Sequence, residues 1–353
     1  MLTYAEITTR VLQFLQDTGA STYDSTETGF AIENELKRLS RYASRKVDVV
    51  FKVESRTGTE TAGTSDKLTD TGKSQFVAGD ATNEKVIHNI TDDTYAVVTG
   101  YTSTSVLSIS ADIMDDGEEY EMYNKRCRNK RQIYIGDMPP YLWIESVEYP
   151  VGTERNFFVI SRDILKLDVE DFVVKDSDST LSPLNKTDVL IKFALPQVLC
   201  QLTTLVGAVN AIEPVGETTI AVDGLGATET IEIGDEFHIA GFRFTYTVTT
   251  GVLLSSGGGN ITVYPGMEAA TADGDVLTFV KSTLQPNHED LLERMVISRA
   301  VQSDMIRFAK SGAPLLNNFQ EWINNNPLLE PRNIQMELEA LVTSRTAKVL
   351  SRE

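Results

Sequence analysis

The chain has 353 residues, with 32 Lys plus Arg against 51 Asp plus Glu and a formal charge of -19. Its 41% apolar content excludes a disordered acidic tail, and no apolar run approaches the ~20 residues that cross a bilayer. An acidic balance also argues against clamping nucleic acid, which needs clustered Lys and Arg to neutralise phosphates. At roughly 100–200 residues per domain, the length predicts two or three domains. The start, Met1-Leu2-Thr3-Tyr4-Ala5-Glu6, lacks the basic residues and apolar stretch of a signal peptide. Cys127 and Cys200 are too few for a disulfide framework and are expected free and reduced, in a cytosolic product.

Residues 1–50 read as two helices. Thr3 and Glu6 form a capping box ahead of Ile7, Val11, Phe14 and Leu15 at helical spacing, with Gly19 as a stop. A polar turn leads to a second helix with Ile32, Leu36, Leu39 and Ala43 on one face and Lys37, Arg38, Arg41 and Arg45 on the other. Such a hairpin needs a further partner to bury its apolar stripes.

Residues 52–124 change character. They are rich in Thr, Ser, Asp and Gly, with turn signals every 8–12 residues, the pattern of a small all-β module. Residues 132–195 also read as extended, punctuated by Pro139-Pro140 and Pro150, and the chain is expected to turn helical after Pro196. Residues 213–280 are again β, with Gly257-Gly258-Gly259 as a flexible hairpin tip. Asn287 then caps a long helix through Leu291, Leu292, Met295, Val296, Val301 and Ile306, ended by Gly312 and Pro314. A short piece around Trp322 and an amphipathic helix from Arg332 to Leu350 close the chain.

The charge is unevenly placed. Residues 52–124 hold 14 acids and 5 bases, and residues 213–280 hold 10 acids and one base, so each nets -9. The remainder holds 27 acids and 26 bases. The two acidic segments also match locally: Thr94-Tyr95-Ala96-Val97-Val98-Thr99-Gly100 against Thr245-Tyr246-Thr247-Val248-Thr249-Thr250-Gly251. Two readings fit, a composition that strands share or two copies of one β module. The domain division that follows is a core of 1–51, 125–212 and 281–353, with β insertions at 52–124 and 213–280. The predicted fold class is α+β, a helical hairpin or bundle core interrupted by two small β-sandwich or β-barrel insertions.

Chemistry-bearing patterns are sparse. His88, His238 and His288 have no second His or Cys at ligand spacing, so no zinc site is expected. Gly72-Lys73-Ser74 resembles the end of a phosphate-binding loop, but the Gly required five positions earlier is Lys67. Asp115-Asp116-Gly117-Glu118-Glu119 lacks the alternating ligand spacing of a calcium loop. Neither a Gly-x-Ser-x-Gly elbow nor a Cys/His pair marks a nucleophile. The expectation is a protein that is no enzyme and takes no cofactor or metal. One basic cluster stands out, Lys125, Arg126, Arg128, Lys130 and Arg131, either a solvated connection or a contact to an acidic partner or passing DNA.

Residues 1–46 resemble the opening helical hairpin of head-to-tail adaptor (connector) proteins of tailed bacteriophages. Thr3-Tyr4-Ala5-Glu6-Ile7 leads to Asp17-Thr18-Gly19 and then to Ala31-Ile32-Glu33-Asn34-Glu35-Leu36. Trp143-Ile144-Glu145-Ser146-Val147-Glu148-Tyr149 after Met138-Pro139-Pro140 is similar to that family's strand after a Leu-Pro-type turn, and Gly234 to Gly241 looks like a phage decoration domain. The resemblance implies a virion protein at the head-tail junction, assembled in the host cytoplasm as a ring commonly of twelve copies. Its implied partners are the portal, downstream tail or neck proteins and double-stranded DNA in transit without tight binding, with no membrane. It also implies that the last helix reaches the portal, with Ile334, Leu338, Leu341 and Val342 as its anchoring face, against the alternative that this face packs on its own domain. The competing functions are another tail component, such as a tail completion or tube-associated protein, and a glycan- or receptor-binding module. For the latter, Tyr95, Tyr101, Phe242 and Tyr246 are candidate stacking residues.

Overall fold

The computed structural model describes residues 1–17, 19, 23–54, 56–82, 84–129, 131–169, 188–311 and 325–350. It divides into two compact units. One comprises Met1–Lys46, Pro139–Leu142 and Ala194–Glu353; the other comprises Val47–Met138 and Trp143–Phe193.

Strand dominates, which overturns the predicted helical core with two small β insertions. Among the described residues there are twenty strands, including a closed six-stranded barrel and an open six-stranded sheet. The extended stretches of the expected helical core pair with one another. Phe157–Ser161, Ile164–Leu167 and Gln132–Tyr134 make one three-stranded sheet; Arg45–Lys52, Asp188–Leu195 and Trp143–Glu148 make another. The helix expected after Pro196 is also absent. The chain there runs irregularly into the strand Val206–Val209, because β-branched residues and Gly207 form helix poorly and this strand has neighbours on both sides.

The first unit holds the helices. α1 (Tyr4–Phe14) opens with a complete capping box: Glu6 N–H donates to Thr3 Oγ1 at 3.2 Å, and Thr3 N–H to Glu6 Oε2 at 2.7 Å. α2 (Ser25–Tyr42) is capped by Asp24, whose carboxylate accepts the Glu27 N–H at 2.7 Å. In the second unit, α3 (Gly79–Thr82) is a single turn. α4 (Pro286–Ser311) and α5 (Pro331–Leu350) supply the partners that the hairpin needs. Ile7, Val11, Ile32 and Leu39 share one core with Leu291, Leu292, Val296, Ile334 and Leu338. Inside the bundle, buried Glu35 bridges Arg38 at 3.3 Å and Arg299 at 3.0 Å. The ending at Gly312 and Pro314 and the piece around Trp322 lie outside the described residues.

The first unit also contains the closed barrel. Its strands in chain order are Val206–Val209, Thr219–Asp223, Glu236–Ile239, Thr245–Thr250, Gly259–Tyr264 and Val276–Phe279. Around the barrel they run first, second, fifth, fourth, third, sixth and back to first. The second unit contains Thr57–Thr59, Lys67–Thr69, Val86–Asn89, Thr94–Ser103, Val106–Ile109 and Glu119–Tyr123, ordered first, sixth, third, fourth, fifth, second. This is the same cyclic order, opened between the first and second strands.

The agreement continues rung by rung. His88 lies between Tyr95 and Glu121, as His238 lies between Thr245 and Thr278. Both fourth strands shift register at the equivalent place, between Val98 and Gly100 and between Val248 and Thr250, and the first-module strand shifts again between Tyr101 and Ser103. Gly58 opposes Tyr120 where Gly207 opposes Leu277, and Gly117 and Gly274 make the same turn at φ +89. The two acidic segments carry one module folded twice, although the first strand of the second copy, Val206–Val209, lies ahead of residue 213, the expected start of that insertion. The sequence match is nevertheless one residue out of register: Tyr246 is buried in its barrel, its structural counterpart is Ala96, and Tyr95 points outward.

Closure differs for an identifiable reason. In the second copy, Ala208 pairs with Asp223 and Val209 with Val222, which seals the barrel. In the first, Thr61 N–H reaches Thr69 C=O at 2.8 Å, and side chains occupy the rest of the seam. Lys73 Nζ and Gln75 Nε2 donate to Thr57 C=O at 2.8 and 2.9 Å, and buried Asp70 accepts the Tyr120 hydroxyl at 2.7 Å. Gly58 makes room, since a Cβ there would sit 2.2 Å from Asp70 Oδ2.

Candidate interaction surfaces

The basic segment follows the last strand of the first module. Lys125 pairs with Glu84 at 3.0 Å, and this bond raises the lysine pKa. Its Nζ lies 5.7 Å from the Tyr134 ring centre, and the Arg126 guanidinium lies 5.5 Å from the same ring. Arg126 and Arg128 are exposed, and Arg131 is half-buried with its N–H on Asn129 Oδ1. Lys130 lies outside the described residues. The cluster is therefore partly spent on local structure, and Arg126 and Arg128 are its outward members.

Beside it, the outer face of the module carries an aromatic stack. The His88 ring lies 4.4 Å from Tyr95 at an interplanar angle of 6°, and Tyr123 follows at 6.0 Å. His88 Nε2 meets Asp93 at 2.9 Å, its Nδ1 meets the Tyr123 hydroxyl at 3.2 Å, and that hydroxyl also donates to Glu121. Burial, then Glu121, pushes the Tyr123 phenol pKa up; burial, then Asp93, does the same to Tyr95. Both tyrosines stay neutral and act as donors. The pattern did not flag this stack, because His88 and Tyr95 meet only through strand register. Among the four candidate stacking residues, Tyr95 and Tyr101 are exposed, Phe242 packs half-buried against the barrel core and Tyr246 is fully buried.

The face expected to reach a portal is turned inward. Ile334 and Leu338 are buried in the chain's own helical core, and Leu341 packs against it. Val342 alone of the four is exposed. Other exposed apolar side chains of the bundle are Phe30 on α2, Ile306 on α4 and Met336 on α5. A cleft of about 210 Å³ between α2 and α4 is lined by Tyr23, Phe30, Ala31, Arg299 and Ala300 among others.

Between bundle and barrel, Arg45 closes on the turn Gly234-Asp235-Glu236. It pairs with Glu236 at 2.6 Å and donates to Gly234 C=O at 3.3 Å. Asp235 accepts the Glu232 N–H, but its Oδ1 and the Arg45 Nε are both buried without a partner. Burial drives the Asp235 carboxyl up to about 7, with Arg45 opposing the rise. Cys127 and Cys200 are buried free thiols, and burial pushes each up to about 12, which makes both poor nucleophiles. Among the described residues, no group of three His, Cys, Asp or Glu side chains is placed to hold a metal ion. No described helix is long and apolar enough to cross a membrane.

Comparison with family models, with curated proteins and with solved structures gives no match for this chain.

Proposed function

We propose that this chain is a structural virion protein that assembles into an adaptor ring, joins the portal to the tail and lets DNA pass. The observation that carries the reading is the pair of exposed apolar side chains on α2 and α4. Phe30 and Ile306 stay exposed although their helices already bury another face in the chain's own core. With the cleft between α2 and α4 that Phe30 lines, these side chains suit a heterologous contact, the kind that closes into a ring. The resemblance of residues 1–46 to connector hairpins supplies the position in the particle, and acidic modules would repel DNA phosphate and leave a duplex free to slide.

Native mass spectrometry of the purified chain, alone and mixed with portal protein, tests the reading. A closed multiple of the chain mass, or a complex with portal, is expected; a chain that enters neither overturns it. A second reading rests on the exposed Tyr95 held flat by His88, a surface on which a sugar ring could stack. Glycan-array binding that is lost in Tyr95→Ala would favour it over the ring.

A further inference from the structure

His88 lies on the strand Val86–Asn89 with both ring nitrogens engaged, and its two partners differ in what they can offer. Nε2 meets Asp93 Oδ1 at 2.9 Å; an ionised carboxylate only accepts, so this nitrogen carries a hydrogen. Nδ1 meets the Tyr123 hydroxyl at 3.2 Å. That hydroxyl has a single proton, which it donates to Glu121, and burial with Glu121 keeps the phenol protonated. Toward His88 the oxygen can only accept, so Nδ1 carries a hydrogen too. The hydrogen-bond chain therefore closes around an imidazolium, whose ring stacks 4.4 Å from Tyr95.

The surrounding charges are consistent with that form. Glu121 is the rung partner of His88 on Glu119–Tyr123, Tyr95 is its partner on Thr94–Ser103, and Asp93 reaches it from the turn between Asn89 and Thr94. Asp92 of the same turn is directed to Glu118 and Asp115 instead, and Arg128 acts on Tyr95 from the segment after the last strand. A carboxylate thus ends the chain on each side of the ring.

Loss of the ring charge must break one end, and burial decides which. Tyr123 is buried in a cluster with Val86 and Cys127, so a hydroxyl left short of a partner there is costly. The Asp93 side chain is 83% exposed, and water replaces its bond at little cost. The neutral ring therefore keeps Nδ1–H on Tyr123 and gives its Nε2 proton to solvent, the reverse of the tautomer that free imidazole favours. Nε2 and Asp93 Oδ1 are then two acceptors facing one another, and they separate. Asp93 also accepts the Tyr95 hydroxyl at 3.3 Å and sits at a left-handed φ of +55, so its release loosens the turn and the exposed ring beside it. We propose that His88 is a proton-operated latch of the first module: the doubly protonated ring fastens Asp93 and its turn to the strand face, and loss of the Nε2 proton releases them together with Tyr95. The second module carries no such latch. Its His238 occupies the equivalent rung, but Nδ1 meets the Thr245 hydroxyl at 3.3 Å, a group that donates as readily as it accepts. The latch is independent of the assembly reading.

Nuclear magnetic resonance of the full chain with nitrogen-15-labelled histidine rings tests it, backbone amides being followed in the same titration from about pH 5 to about pH 9. As His88 becomes neutral, Nε2 should lose its proton while Nδ1 keeps its own, and the amides of Thr91, Asp92, Asp93 and Tyr95 should shift with the midpoint of the ring. In Asp93→Asn the side-chain amide can donate to a bare Nε2 and the residue tolerates the same φ, so these amides should move about threefold less across the titration. Tyr123→Phe removes the hydroxyl that holds Nδ1–H, and its neutral ring should revert to Nε2–H with Asp93 still bonded. A neutral ring of the native chain that keeps Nε2–H, turn amides that ignore the ring, or equal movement in Asp93→Asn would each overturn the latch.

Discussion

Asp235 shows how a single buried carboxyl can make a fold pH-dependent. It sits at the turn that Arg45 grips, yet Arg45 places its short ion pair on Glu236. Asp235 is left with one backbone donor and a buried Oδ1 that finds no partner. Its carboxyl is raised from 3.8 to about 7 by burial. Below pH ~4 the folded and unfolded chains both hold this proton. Between the two values the unfolded chain releases it while the folded chain keeps it, so stability falls as pH rises and levels off above the folded value. Asp235→Asn, which can still accept the Glu232 N–H, should remove this dependence. Comparing urea unfolding of variant and native chain, the difference in favour of Asn should grow by about 2–3 kcal/mol from pH 5 to pH 8. A constant difference across that range would mean that Asp235 is ionised in the fold. At the other module, Tyr120→Phe deletes the phenol that buried Asp70 accepts from at 2.7 Å. A carboxylate left short of a buried donor costs about 1–3 kcal/mol, read as a lower thermal midpoint.

At the scale of elements, the two modules show which parts of a β fold a sequence displays. The cap of the first helix was legible, because Thr3 with Glu6 acts over a few residues of chain, whereas Asn287, expected to cap α4, lies inside a helix that starts at Pro286. Turns at Gly117 and Gly274 were legible for the same reason, since a left-handed φ selects glycine. Register was not. The shared Thr-Tyr-x-Val-x-Thr-Gly string points to duplication, yet rung pairing equates Tyr246 with Ala96, and a one-residue slip exchanges core face for solvent face. The bulge common to both fourth strands, the stack of His88 on Tyr95 and the edge at Phe157 are likewise products of pairing across the sheet. Gly58 and Gly207, far apart in the chain and alike in the fold, make the equivalence testable. A Cβ at residue 58 would lie 2.5 Å from the Tyr120 hydroxyl, and one at residue 207 would lie 2.6 Å from the Asp223 carbonyl oxygen. Alanine at either position overpacks its module, so each variant should lose roughly 1–3 kcal/mol. Residue 207 should lose more, because its nearest neighbour is backbone of a closed barrel, whereas residue 58 meets side chains. Equal, negligible losses at both sites in chemical denaturation would show that neither strand approaches its neighbour as closely as described.

At the scale of the molecule, the charge of -19 resolves into a near-neutral frame and two acidic modules of -9 each. The closed barrel leaves and re-enters that frame at one point: Leu199 bridges Ser282, and Cys200 N–H donates to Lys281 C=O at 3.0 Å. Leu199 and Leu284, on either side of the junction, belong to the helical core, whereas Cys200 and Leu202 belong to the barrel core. Two cores meeting at one antiparallel rung should be separable. Replacing residues 201–280 with Gly-Ser-Gly makes a tight hairpin at that rung and leaves the bundle's own apolar contacts in place. What is lost is the grip of Arg45 on Gly234 and Glu236, and the freed guanidinium gains water in exchange. The shortened chain should keep its helical circular dichroism signal and a cooperative melt, with a midpoint lower by several degrees. Its charge should fall in magnitude to -10, visible as a shift of the isoelectric point towards neutrality. If the helical signal melts without cooperativity, the barrel is part of the bundle's foundation and not an attachment to it.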